Sequence, residues 1–255
     1  MSSVTLEWPR DGYARIVLSR PEKLNAMGRT ELYAMEAATR AIAERGCRVI
    51  SIVAAGPAFG VGGDIDYFAQ HLDRAPDMLR ELGMAVNATT ARLRGIDAAV
   101  VVGAQGTVAG GLVGLLASAD FIIAADDLKL NLAYACIGGS PDGGTSWFLP
   151  RLIGRLRTFE LMALSETVDS ARALELGLVN RVVPVAELRA SVEAVVERLL
   201  AVPPVTLANI KRLVGASLET ALETQLHREI EGFAAAAATE AFQRGIRAFI
   251  AKAGG

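Results

Sequence analysis

Residues 98–119 read AAVVVGAQGTVAGGLVGLLASA and contain no charged side chain. By length alone such a run could span a bilayer, which takes about 20 apolar residues. Its internal order argues against that. It opens on the β-branched residues Val100 to Val102 and then carries Gly103, Gly106, Gly110, Gly111 and Gly114 together with Gln105. A β-branched run broken by glycines and one polar amide reads as a buried strand that turns into a helix, so no membrane span is expected. A second glycine-rich junction, AFGVGGDIDYF at Ala58 to Phe68, follows a second candidate strand, RVISIVA.

Working outward from these junctions, VTLEW and YARIVLS flank the turn residues PRDG and predict a hairpin. Leu32, Met35 and Ile42 keep a helical period between Arg29 and Arg45, and Gly46 stops that helix. A helix is predicted from about Pro76 to Arg94, then a strand at AAVVVGA, a helix at GGLVGLLAS, a strand at FIIAA and a short strand around LKLNLA. Strands alternating with helices imply an α/β fold with a largely parallel sheet buried on both faces. The last third is helical by period. Its stripes Leu222, Leu226, Ile230, Phe233 and Phe242, Ile246, Phe249, Ile250 must pack on something, a neighbouring subunit included.

Bulk properties remove several function classes. A chain of 255 residues, 52% hydrophobic, can bury a sizeable core, and a net charge of -2 offers no basic field for nucleic acid or an anionic membrane. Only two cysteines occur, Cys47 and Cys136, read as lying in apolar surroundings, and MSSVTLEWPR lacks the apolar run of a secretory signal. A reducing, cytoplasmic setting is expected. No phosphate-binding GxxxxGK[ST] is present, and GVGGDI carries Ile65 where a dinucleotide fingerprint needs its last glycine. With His71 and His227 as the only histidines and no clustered cysteines, no zinc site and no Ser/His/Asp triad is expected.

The two glycine junctions remain as carriers of chemistry. A helix that opens on glycine presents unpaired backbone N–H groups and lets a ligand oxygen approach without meeting a Cβ. Two such donors converging on one oxygen make an oxyanion hole. The plainer alternative is that the glycines only permit tight turns and close helix packing.

Four motifs in order, RPEKLNAM (Arg20 to Met27), AFGVGGDI, GTVAGGLVGLLASAD (Gly106 to Asp120) and IGGSPDGGTSWFLPRLIG (Ile137 to Gly154), resemble the crotonase, or enoyl-CoA hydratase/isomerase, superfamily. The resemblance covers nearly the whole chain. It implies an α/β, ClpP/crotonase-type core of repeated ββα superhelical units with an acyl-CoA site over residues 1–195, and a C-terminal helical trimerisation region over residues 196–255. It also implies that the Gly63 and Gly111 N–H groups hold the thioester oxygen. Lys23, Leu24 and Ala26 would line the coenzyme A channel, with Val61, Asp64 and Ile65 on its adenine side. Phe249 and Lys252 match positions where a neighbouring subunit's last helix contributes. Coenzyme A is implied as part of the substrate with no tightly bound cofactor, and a homotrimer or dimer of trimers is expected.

The sequence departs from the family's hydratases. Their two glutamates are replaced here by Gly114 and Tyr134, and neither can act as a carboxylate base. One acid remains, Asp142, matching an aspartate used by dienoyl-CoA isomerases and ring-1,2-epoxyphenylacetyl-CoA isomerases, and also the nucleophile of chlorobenzoyl-CoA dehalogenases. The dehalogenase partners, a histidine and a tryptophan, are Asn87 and Tyr134 in this chain, which disfavours dehalogenation. Asn87, Gly114 and Tyr134 are then expected around the acyl pocket. The resemblance points to an acyl-CoA isomerase using Asp142. Hydration through a non-standard base, and a coenzyme A-thioester binder that has lost its acid/base pair, stay open. For Asp142 itself the plain alternative is a cap or turn residue between Pro141 and Gly143.

Overall fold

The turn at Asp11-Gly12 folds β1 (Val4–Arg10) back on β2 (Tyr13–Leu18), the hairpin that the sequence predicts. The computed structural model, which describes residues 2–253, continues with α1 (Arg29–Arg45), β3 (Val49–Ala54), α2 (Ile65–Ala69), α3 (Ala75–Gly95) and β4 (Ala99–Ala104). Then come β5 (Thr107–Ala109), α4 (Gly111–Ala117), β6 (Phe121–Ala125), β7 (Lys129–Asn131), α5 (Thr145–Ile153), α6 (Arg155–Leu164), β8 (Thr167–Asp169), α7 (Ser170–Glu175) and β9 (Arg181–Val183). Four helices close the chain: α8 (Leu188–Ala201), α9 (Pro204–Ala216), α10 (Leu222–Ala237) and α11 (Glu240–Ala253).

The main sheet has the order β1-β2-β3-β4-β6-β9 and is parallel apart from the β1/β2 hairpin. The period-2 alternation of β4 explains its central place. Val100, Val102 and Ala104 point into one hydrophobic cluster, while Ala99 and Val101 point into the other, where Val192, Val195 and Val196 of α8 cover them. Every residue of β4 is buried.

The charge-free run therefore lies in the core, divided among β4, β5 and a seven-residue α4. Among the described residues no helix is long and apolar enough to cross a membrane. The direct strand-to-helix passage read from this run needs one correction. Gly106, at φ +56°, turns the chain into β5, which pairs with β7 and β8 in a second, three-stranded sheet before α4 begins. β5, β8 and β9 are three residues each and show no strand period of their own, whereas the equally short β7 is legible because LKLNLA alternates beyond its ends.

α8 runs through residue 195, where the sequence reading ended the core, and stops just before Pro203-Pro204. α9 is docked by Lys211, whose buried Nζ donates to Leu93 O at 2.8 Å and Ala98 O at 2.7 Å and pairs with Asp120 at 3.1 Å. In contrast, α10 has no buried residue, and its apolar stripe stays exposed in the single chain, as do Ile246, Phe249 and Ile250 of α11. Cys136 is exposed, contrary to the apolar surroundings read for it, because it lies on a short 3-10 turn outside the core; Cys47 is partly buried.

Two isolated bridges tie the glycine junctions to the frame. Gly60 pairs with Val108, its N–H donating to Thr107 O at 3.0 Å and its C=O accepting from Ala109 N at 3.0 Å. Met27 pairs with Gly63, through Met27 N to Gly62 O at 2.8 Å and Asp64 N to Met27 O at 3.0 Å. Arg20 clamps this second bridge. Its Nη1 reaches Asp64 Oδ2 at 2.8 Å and Ala26 O at 3.1 Å, with Glu31 at 3.5 Å. Asn25, buried at left-handed φ, donates to Ala55 O and Ala58 O, both at 2.9 Å.

Two outcomes follow from this frame. A Cβ at Gly106 would stand 2.0 Å from Pro57 O in a left-handed backbone, so Gly106→Ala should cost more than about 2 kcal/mol in urea unfolding, and a neutral result would contradict the turn. Burial acts to raise the Asp64 carboxyl, but the Arg20 hydrogen bond, the Tyr67 amide and the nearby cations together hold it below its ordinary value. A depressed carboxylate stabilises the fold above its unfolded pKa of about 3.9, and that stabilisation is lost as pH falls through the folded value. Asp64→Asn should therefore be less stable than wild type near neutral pH, with the gap closing as pH drops below about 4; a gap independent of pH would exclude the charge pair as its source.

Candidate active site

Gly63 and Gly111 line one open cleft together with Asp142. The bridge to Met27 determines which way the first amide faces. In a parallel bridge Met27 bonds residues 62 and 64, so the N–H of the intervening Gly63 points to the opposite side. Gly111 opens α4, where first-turn amides have no intrahelical acceptor. Neither amide has an acceptor among the described residues. The two loops touch backbone to backbone, since a Cβ at Gly62 would lie 3.0 Å from Ala109 O and 3.6 Å from Gly110 N.

A third glycine segment holds the acid. A Cβ at Gly143 would meet Gly111 O at 2.7 Å, and one at Gly114 would meet Gly143 O at 2.2 Å, so the loop before α5 lies directly on the backbone of α4. Asp142 is thereby placed beside Gly111, where a Cβ would stand 2.9 Å from its Oδ1. Its carbonyl accepts from Thr145 N at 3.1 Å and Thr145 Oγ1 at 2.8 Å, which starts α5. Its side chain caps nothing; α5 begins after Gly144 without a side-chain cap. The carboxylate instead accepts from Tyr134 Oη, at 2.8 Å from Oδ1. Burial, and then the Asp142 charge, push the Tyr134 phenol well above its ordinary value, so it stays a proton donor throughout the neutral range.

Several residues read as site residues stand elsewhere. Tyr134 is buried in the hydrophobic core and does not line the cleft; it touches Asp142 from behind. Gly114 is buried beneath Gly143 rather than facing the acyl space. Asn87 is exposed and outside the cleft, whose α3 wall is made by Leu79, Leu82, Gly83, Val86, Thr89 and Thr90 at helical spacing. Asp64 is an internal clamp: it takes Arg20 and caps α2 by accepting from Tyr67 N at 3.1 Å. Ala26 is buried.

The remaining channel residues do gather. Val61 N donates to Leu24 O at 3.2 Å, Leu24 and Ile65 are exposed, and Lys23 Nζ pairs with Asp66 at 2.6 Å on the surface. Phe249 and Lys252 lie on exposed α11 and do not line this chain's cleft. Sequence reading missed Arg20, Asn25 and Phe68. The first two lie inside the quoted RPEKLNAM motif, where Glu22 and Lys23 stand between them and nothing local marks Arg20 and Asn25 as the inward-facing pair. The Phe68 ring covers Gly63 so closely that a Cβ there would lie 2.5 Å from Cζ.

The enoyl-CoA hydratase/isomerase family matches residues 10–254. The chain is 29% identical over 255 residues to a 1,2-epoxyphenylacetyl-CoA isomerase of Escherichia coli (strain K12), covering 99% of this chain and 97% of that protein. An enoyl-CoA hydratase structure from Polaromonas sp. JS666 has a TM-score of 0.91 at 27% identity, covering 98% of this chain and 97% of that one. A structure from Thermobifida fusca YX in complex with acetoacetyl-CoA has a TM-score of 0.84 at 29% identity, covering 93% of this chain and 95% of that one. Similarity that runs the length of the chain, in sequence and in fold, bears out the crotonase-type α/β architecture inferred from the four motifs: the protein belongs to the enoyl-CoA hydratase/isomerase family.

Proposed function

We propose that the protein is an acyl-CoA isomerase that stabilises a thioester enolate with the Gly63 and Gly111 amides and moves one proton with Asp142. The observation that carries this reading is the company Asp142 keeps: a carboxylate with one oxygen held by Tyr134, beside an unpaired amide, in a cleft with no second acid on its wall among the described residues. Asp142 takes a proton from the carbon next to the thioester as negative charge moves onto the carbonyl oxygen. The same carboxyl then returns the proton to another carbon of the acyl group, and the double bond is displaced with no change in mass. Removing one oxyanion donor typically costs about 100- to 1000-fold in rate, so the amides carry at least as much of the barrier reduction as the acid.

Hydration fits less well. It would need a second acid to position water, and the family position on α4 is closed, because Gly143 O occupies the space where a side chain at 114 would begin. The other position holds Tyr134, already committed to Asp142. Coenzyme A enters with the substrate, past the exposed Leu24 and Ile65, and no tightly bound cofactor is required. The exposed stripes of α10 and α11 suit a homotrimer or dimer of trimers, in which Phe249 and Lys252 would reach a neighbour's channel.

A mass-spectrometric screen of acyl-CoA thioesters tests the reaction: products of unchanged mass support isomerisation, products heavier by one water refute it, and binding without turnover favours a degenerate thioester binder. Asp142→Asn should lower kcat by about 100- to 10,000-fold while acyl-CoA still binds, and normal isomerisation by this variant would remove Asp142 from the mechanism. Tyr134→Phe should lower kcat by about 10-fold with KM nearly unchanged, since the phenol bonds the acid and lies outside the cleft lining. An effect confined to KM would place Tyr134 on the substrate instead.

A further inference from the structure

Glycine is a poor helix former, and inside a helix it usually stands for a packing or functional reason. Gly114 and Gly215 have a packing reason. A Cβ at Gly114 would stand 2.2 Å from Gly143 O, and one at Gly215 would stand 2.9 Å from Arg94 Nη2. Gly83, in the interior of the 21-residue α3, has none. Among the described residues no heavy atom outside its own helical turn would lie within 4 Å of a Cβ there, and its φ is not in the left-handed range that favours glycine. Gly245 of α11 is equally open but does not line the cleft, whereas Gly83 does. On α3 the cleft wall takes side chains from Leu79, Leu82, Val86 and Thr90, so Gly83 leaves a gap in that face.

Helical phase puts residue 83 on the same face as residues 79, 86 and 90, so a side chain here would project into the cleft and not into the core. Alanine would make a better helix at no packing cost, which leaves the open space itself as the use of the glycine. We infer that Gly83 is a specificity-determining residue whose missing side chain makes room for the apolar body of the acyl group. The protein then selects thioesters with a large apolar acyl group, a medium-length chain or a ring, over those of two carbons. The gap lets such a group lie against the backbone of α3, with Leu79 and Val86 one turn away on either side. The inference rests on the acyl-CoA reading of the cleft but not on the isomerase reaction.

The test is titration calorimetry with coenzyme A, acetyl-CoA, octanoyl-CoA and phenylacetyl-CoA on wild type, Gly83→Ala and Gly83→Leu. Wild type should bind octanoyl-CoA or phenylacetyl-CoA at least about 10-fold more tightly than acetyl-CoA. A gap for the first alone identifies a chain as the occupant, and a gap for the second alone identifies a ring; either supports the inference. Gly83→Leu should close the gap while coenzyme A and acetyl-CoA bind as they do to wild type. Gly83→Ala guards against misfolding of the leucine variant: it should raise the thermal midpoint by about 2–4 °C and narrow the gap by about 2-fold. No gap in wild type, a gap that survives in both variants, an equal loss for coenzyme A itself, or a lowered midpoint in Gly83→Ala each overturns the role of Gly83 while leaving the acyl-CoA site intact. Failure of every thioester to bind wild type overturns the acyl-CoA reading itself, and this inference with it.

Discussion

Three stretches of backbone meet where no side chain can stand between them. The loop at Gly62-Gly63, the start of α4 at Gly110-Gly111 and the loop at Gly143 approach so closely that a Cβ at Gly62, Gly114 or Gly143 would fall 3.0 Å or less from a carbonyl oxygen of a neighbouring stretch. This contact does two things at once. It leaves the amides of residues 63 and 111 unpaired on a common cleft, and it holds Asp142 at the edge of that cleft. An unpaired amide is costly when sealed away and useful when it faces a developing negative charge. The site thus follows from main-chain packing, with few side chains needed to build it.

The rest of the molecule serves that contact. The buried strand β4 and the bridge from Gly60 to Val108 bring the second glycine loop to the first, and the Arg20–Asp64 clamp keeps the first from drifting. The acid is set by a different device. Gly143 lies on α4 in a left-handed conformation, so the chain can reach Thr145, whose amide and hydroxyl both bind the Asp142 carbonyl. With the main chain of residue 142 fixed by Thr145, its carboxylate is free to be held by Tyr134 from the core side. The same packing that admits this loop leaves no room for a side chain at position 114, where a Cβ would stand 2.2 Å from Gly143 O.

Much of this was legible in the sequence because the deciding signals are local. The limits of α1 follow from its apolar period and Gly46, the burial of β4 from an unbroken apolar run, and the pairing of Gly63, Gly111 and Asp142 from motif resemblance. What was not legible depends on contacts between segments. Asp64 carries the same chemistry in a clamp as in a binding site, and only the partner Arg20, 44 residues away, distinguishes them. Asn87 fails by helical phase alone: the cleft takes Val86 and Thr90 from α3 and leaves Asn87 outside. For Tyr134 the sequence allows either the acyl pocket or the buried core; the fold buries the ring and turns its hydroxyl onto Asp142.

The most direct test is a crystal structure of the protein with a bound, unreactive acyl-CoA. The thioester oxygen should lie about 2.7–3.1 Å from both the Gly63 and Gly111 amide nitrogens. A thioester oxygen bound to only one of these amides, or to neither, would contradict the account.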